Sequence, residues 1–195
     1  VVLAQIVHVV KDGQPVRMSK RAGTYVTLAD LIDEVGKDAV RFTMLTRKSD
    51  AQMEFDLDLV VQQSRDNPVF YVQYAHARAQ SVLRAARNPE GLADADLSAL
   101  TDPAELALIR RIATWPRVVE GAAATREPHR IAFFLSDLAG DFHVVWNRGK
   151  EDTTLRFIRA DDPGATRARL ALVSAMATVI RSGLAVMGVA AKDEL

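Results

Sequence analysis

Three cations stand within five residues at Arg17, Lys20 and Arg21, in the stretch Val16-Arg17-Met18-Ser19-Lys20-Arg21-Ala22-Gly23-Thr24. Gly23 keeps this backbone adaptable, so a loop here can swing over a polyanion. Lys20 would set a compact ammonium against phosphate oxygens, and Arg17 or Arg21 could fork onto two oxygens at once. On charge alone a solvated basic turn is the simpler reading.

A second constellation lies on the helix expected after Asn67-Pro68. Gln73, His76 and Gln80 share one polar face that continues toward Arg84 and Arg87, while Tyr71, Tyr74 and Arg78 form an adjoining strip. Aromatic rings beside guanidiniums suit unstacked bases and phosphates, since stacking on an exposed ring contributes ~1–3 kcal/mol per base. Tyrosines at this spacing also pack between helices with the hydroxyl kept wet, and both readings stand. His76 reads as a hydrogen-bond partner at the surface or between helices rather than as a general base. His143 and Trp146 are one helical turn apart beside Phe142, with Asn147 and Arg148 following. That cluster is either the rim of a base pocket or bundle core, and Phe142 is assigned to the core.

Other candidates read as structural. Trp115, before a proline, is assigned to packing. His8 and His129 lie far from any carboxylate cluster with ligand spacing, so no metal site is expected. Asp56 with Asp58, and Asp161 with Asp162, read as helix starts rather than acid–base pairs.

The elements that must carry these residues can be read from periodicity and punctuation. Residues 1–10 have the Val and Ile content of a buried strand, and Lys11-Asp12-Gly13-Gln14 closes a hairpin whose second arm is Pro15 to Met18. Beyond Val26 every recognisable element reads as helix. Thr27 with Asp30 predicts a capped helix over 28–35 ending at Gly36 in a left-handed cap. Asp38 is expected to cap a second helix carrying Ala39, Val40, Phe42, Met44 and Leu45. A third is expected from Asp56 to about Arg65. Asn67-Pro68 opens a long helix to about Arg87, and Asp102-Pro103 with Glu105 opens another, expected to break or kink at Trp115-Pro116. From Pro128, residues Ile131, Phe134, Leu135, Leu138, Phe142 and Val145 form one helical face. Asp162-Pro163 opens a last helix with two apolar stripes, so it should be central.

Composition sets the limits. The 195 residues are 49% hydrophobic, enough for a real core, and 25 Lys+Arg balance 25 Asp+Glu. A net charge of zero means that any nucleic-acid surface must be a local patch. The absence of cysteine excludes disulfides, thiolate metal sites and cysteine nucleophiles. Val1 and the apolar run after it lack a signal peptide's basic start, and are read as the start of a segment inside a larger protein. Lys192-Asp193-Glu194-Leu195 spells an ER-retention address, which has meaning only in a secreted chain. The uncharged run Leu170 to Ile180 is read as too short to cross a bilayer.

Arg17-Met18-Ser19-Lys20-Arg21 resembles the KMSKS signature of class I aminoacyl-tRNA synthetases, and Ala22 through Leu28 is similar to bacterial arginyl-tRNA synthetases. The likeness continues through Asp38-Ala39-Val40-Arg41-Phe42-Thr43-Met44-Leu45, through Asn67 to Arg78, and through Phe142-His143-Val144-Val145-Trp146-Asn147. The resemblance implies that the loop closes over ATP, bound with Mg2+, through Arg17, Met18, Ser19, Lys20 and Arg21. Lys20 would stabilise charge on the triphosphate during arginine activation, an effect commonly of ~3–4 kcal/mol. Arg17 and Arg21 depart from the signature's first lysine and last serine. A HIGH-type motif, a Rossmann glycine fingerprint and an amino-acid pocket are missing from this sequence, so arginine would bind outside it.

The implied architecture is mainly α. A β-hairpin remnant of a Rossmann-type catalytic domain with the signature loop (1–26) leads into stem-contact helices (27–66). An antiparallel DALR-type anticodon-binding bundle (67–195) follows. The expected function is the tRNA(Arg)-binding C-terminal part of a cytoplasmic arginyl-tRNA synthetase, inactive as a fragment and with no membrane partner. Expected tRNA contacts are Tyr71, Tyr74, His76, Arg78, Arg84, His143 and Trp146. The competing readings are a free-standing RNA-binding module of the same fold, and a plain interaction bundle with a basic loop.

Overall fold

The computed structural model describes residues 3–16, 26–87 and 89–195. Strand β1 (Val7–Lys11) turns back into the two-residue strand β2 (Gln14–Pro15), pairing Val10 with Pro15 and Lys11 with Gln14. Asp12 and Gly13 both take positive φ, 51° and 69°, the signature of a two-residue hairpin turn whose twist matches its strands.

A third strand, β3 (Met53–Asp56), runs parallel to β1 and completes the sheet order β2-β1-β3. This corrects the expectation that everything after Val26 is helical. Met53 and Phe55 are buried while Glu54 is exposed, so the period-two signal exists, but four residues with two acids are too short a run to announce a strand.

Between β1 and β3 lie α1 (Leu28–Val35) and α2 (Lys37–Met44). The Thr27–Asp30 capping box starts α1. Gly36 ends it at φ 85°, ψ 151°, an extended mirror-image conformation rather than the left-handed cap expected, and one that glycine tolerates best. Asp38 does not cap α2. Its carboxylate accepts hydrogen bonds from Gln73 and from the backbone of Ala190 instead.

Helix α3 (Leu57–Val60) starts on the Asp56 side chain but lasts one turn, short of Arg65. The Asn67 amide donates to the carbonyls of Val60 and Gln62, both at 2.8 Å, and so takes up the acceptors that a longer helix would have used.

Four long helices follow: α4 (Pro68–Ala85), α5 (Pro103–Thr125), α6 (His129–Glu151) and α7 (Pro163–Met187). The caps Asn67, Asp102 and Asp162, each followed by proline, start three of them as expected. Pro116 does not break α5, which stays helical to Thr125. Trp115 stacks on Phe134 of α6 at 5.3 Å, and packing along that interface outweighs the lost backbone hydrogen bond.

Helix α7 is long and apolar enough in composition to cross a membrane, contrary to the reading of its uncharged run. Its apolar residues are instead packed against the other long helices, including Leu170, Val173, Met176, Ile180 and Leu184. Gly183 allows α6 closest, since a Cβ there would lie 2.7 Å from Leu135. Glu105 and Arg169 form an ion pair at 2.6 Å, almost fully buried, and Arg169 also donates to the carbonyls of Thr154 and Arg156. The sheet residues Val9, Met53 and Phe55 belong to the same continuous core as the bundle.

Candidate nucleic-acid interface

Helix α4 packs between α6 and α7 and presents two strips to different neighbours. On the α6 side the chain forms an open cavity of about 750 Å³, lined by Arg65, Tyr71, Tyr74, Arg78, His143 and Asn147, with Leu195 at its edge. The Arg78 guanidinium lies 4.2 Å from the centre of the Tyr74 ring and 4.7 Å from that of Trp146, so two aromatic faces hold it flat. Tyr71 lies between Arg65, 5.9 Å from its ring centre, and the His143 ring at 4.8 Å. Tyr71, Tyr74, Arg78 and Trp146 are all half-buried. Tyr74 also stacks on Phe70 at 5.6 Å, and Tyr71 and Tyr74, but not Trp146, line the cavity.

His143 has a defined protonation state. Arg78 Nη1 sits 3.3 Å from His143 Nδ1, and a guanidinium only donates, so Nδ1 accepts and the ring is the neutral Nε2–H tautomer. Burial, then the charges of Arg78 and Arg65, lower its pKa to about 4. Its Nε2 has no partner among the described residues. The site near neutral pH is therefore a donor-rich, aromatic-walled hollow, with Arg65 and Arg78 as its cations.

The structure separates the remaining expected residues from this hollow. His76 is fully buried on the other strip of α4, beside the equally covered Gln73, and both face the segment after Met187. His76 is thus a hydrogen-bond partner between elements rather than at the surface, with Ala190 and Lys192 of the returning segment bonded to this face. Arg84 pairs with Glu194 at 3.4 Å and donates to the Asp193 carbonyl, outside the cavity. Trp146 contacts Arg78 but does not line this cavity; it borders a smaller apolar groove of about 340 Å³ with Phe157. Arg148 turns away to Asp102, at 2.5 Å. Phe142 is fully buried, in line with its core assignment. Arg17, Met18, Ser19, Lys20 and Arg21 lie outside the described residues. Among the described residues, no group of three or more His, Asp or Glu converges on a point.

Sequence reasoning missed Arg65 and Leu195. Arg65 is expected only as the end of the third helix, but α3 stops at Val60 and leaves it in the loop before Asn67, and Leu195 reaches the cavity only through tertiary folding.

The family described as the DALR anticodon binding domain matches residues 72–195, which include most of α4 and all of α6, while Arg65 and Tyr71 of the cavity lining precede the matched range. The chain belongs to that family. Over its full length the DALR-family chain is 63% identical to the arginine–tRNA ligase of Gluconobacter oxydans (strain 621H), and over 99% of it 57% identical to that of Methylorubrum extorquens (strain PA1). It spans 34% of the length of each, and corresponds to the C-terminal part of such ligases. Among solved structures, one assigned as an arginyl-tRNA synthetase of Campylobacter jejuni superposes with a TM-score of 0.86. That match has 30% identity and covers 99% of this chain and 40% of that one. The Thermus thermophilus arginyl-tRNA synthetase gives a TM-score of 0.65 at 27% identity, covering 90% and 29%.

Proposed function

We propose that this chain is the tRNA(Arg)-binding portion of a cytoplasmic arginine–tRNA ligase, with the cavity under Arg78 receiving unstacked anticodon-loop bases. One observation carries the reading: a guanidinium held over the Tyr74 and Trp146 rings, lining a hollow together with Tyr71, Tyr74 and neutral His143. A base entering it would stack on a ring, at ~1–3 kcal/mol per base, and meet donors aimed at its acceptor edge. Tyr71, Tyr74, Arg78, His143 and Trp146 are the contacts we assign. His76 and Arg84 support the reading only indirectly, because neither faces the hollow.

In this scheme residues 1–26 complete the catalytic domain and carry the nucleotide loop, residues 27–66 contact the tRNA stem, and residues 67–195 bind the anticodon loop. ATP and Mg2+ meet Arg17, Met18, Ser19, Lys20 and Arg21, while arginine binds in the part of the protein outside this chain. Residues 1–195 alone are then inactive. Lys20 offers an ammonium to charge developing on the triphosphate.

Two measurements test the scheme. Filter binding with the full-length protein is expected to favour arginine tRNA over an unrelated tRNA, and the preference to weaken when the anticodon is replaced; equal binding to all would refute it. Lys20→Ala is expected to slow arginine- and tRNA-dependent ATP–pyrophosphate exchange by about 10²–10³-fold. An unchanged rate would leave the loop a solvated turn.

A further inference from the structure

Residues 188–195 form a strap across α4. Gly188, at φ 68°, ends α7 in the left-handed region and turns the chain, and Arg41 of α2 donates to the Met187 carbonyl at 2.8 Å. Ala190 is then held at both backbone groups. Its N–H donates to Asp38 at 3.2 Å, and its carbonyl accepts from Gln73 Nε2 at 2.9 Å. Gln73 Nε2 donates also to the other Asp38 oxygen, at 3.2 Å, so these three groups form a closed set.

One turn along α4, His76 Nδ1 lies 2.9 Å from the Lys192 carbonyl. A carbonyl only accepts, so Nδ1 carries the proton, and Nε2 is free to accept from Gln80 at 3.4 Å. The ring is neutral and both its nitrogens are used. Burial lowers its pKa, and Arg181 opposes its protonation while Asp193 at 3.6 Å favours it. Beyond Lys192, Arg84 and Arg181 engage Asp193 and Glu194 at the surface. At Leu195 the strap joins the lining of the cavity that Tyr71, Tyr74 and Arg78 share.

A buried histidine and a buried glutamine that spend their hydrogen bonds on the backbone of a returning segment fix the path of that segment rather than its side chains. We propose that Gln73 and His76 are positioning residues for the base cavity: by gripping the backbone at Ala190 and Lys192 they hold Leu195 in its wall. They would thereby set tRNA affinity although RNA never reaches them. This rests on the reading that the cavity receives anticodon-loop bases.

The test uses the full-length protein and filter binding to tRNA(Arg), with four changes: His76→Leu, His76→Asn, a stop codon in place of Lys192, and Arg78→Ala. Leucine removes the donor at similar size, whereas asparagine keeps an N–H near the Nδ1 position. His76→Leu and the truncation are each expected to weaken binding about tenfold, the scale of one lost hydrogen bond with its partner left unpaired. His76→Asn should stay within about twofold of the parent. In the truncated protein, His76→Leu should add nothing further, because both changes act through the same segment.

The proposal is overturned if truncation leaves affinity unchanged, or if His76→Leu weakens the truncated protein as much as the intact one. It is also overturned if His76→Asn binds as poorly as His76→Leu. If His76→Leu fails to fold, the truncation and His76→Asn still decide. Loss of affinity in Arg78→Ala beside normal affinity after truncation removes the strap's role and leaves the cavity reading intact. Normal affinity in Arg78→Ala refutes the cavity reading and the strap's role with it.

Discussion

The two strips of α4 carry similar chemistry and meet opposite fates. Tyr71, Tyr74 and Arg78 line an open hollow, while Gln73 and His76, within two residues of them in sequence, are sealed under residues 188–195. The difference is made by their partners. Arg78 lies over two aromatic rings and among the described residues bonds only a neutral histidine nitrogen, so its guanidinium keeps donors to offer. Gln73 and His76 spend their N–H groups on the carbonyls of Ala190 and Lys192 and on the Asp38 carboxylate. A polar strip on a helix is therefore an outward surface only where no backbone returns to satisfy it.

The largest effect that would sharpen this contrast is expected at Arg78. Arg78→Ala should lower tRNA(Arg) affinity of the full-length protein about 30- to 100-fold, by loss of a stacked, charge-assisted contact, and move the melting midpoint little. A variant that melts early and binds normally would reverse the assignment of the two strips. His76→Ala should show the opposite balance. Leaving the Lys192 carbonyl and the Gln80 amide without their partner is expected to cost about 2 kcal/mol in urea unfolding, more than it costs in tRNA binding.

A third effect comes from pH. The native pKa of His143 lies below its ordinary value, at about 4, so the folded state binds this proton more weakly than the unfolded chain. The stability it contributes is whole above its unfolded value of about 6.5, and is lost as pH falls toward 4. His76, lowered mainly by burial, acts with the same sign. Unfolding free energy should fall by about 1–2 kcal/mol for His143 over that window, after allowance for water in the open cavity, and His143→Gln should flatten the dependence. A flat profile in the parent would mean that His143 is not held neutral. The smallest effect is expected for Arg84→Ala, under about 0.5 kcal/mol in stability, because its pair with Glu194 is exposed to solvent.

Much of this molecule was legible because its helices punctuate themselves. Asn67-Pro68, Asp102-Pro103 and Asp162-Pro163 combine a side-chain acceptor with a residue lacking the N–H it would otherwise have to satisfy, and three helices begin there. The stripes of α6 and α7 are buried as their spacing requires. What stayed hidden depends on distant chain. Strand β3 is defined by pairing with β1, forty-six residues earlier at Val7 and Met53. Periodicity groups Gln73 with His76, but which strip is covered follows from where Gly188 sends the chain. Asp38 reads as a helix cap because its partners at Gln73 and Ala190 are remote in sequence.

The grip of Asp38 and Arg41 on Ala190 and Met187 has a practical corollary for anyone dissecting this protein. Trimming a recombinant piece to begin at residue 67 would follow the helix punctuation, yet it would discard two of the hands that clasp the segment after α7. Such a piece is expected to fray along residues 188–195, and a weak interaction measured with it would report that fraying as much as the chemistry of its hollow.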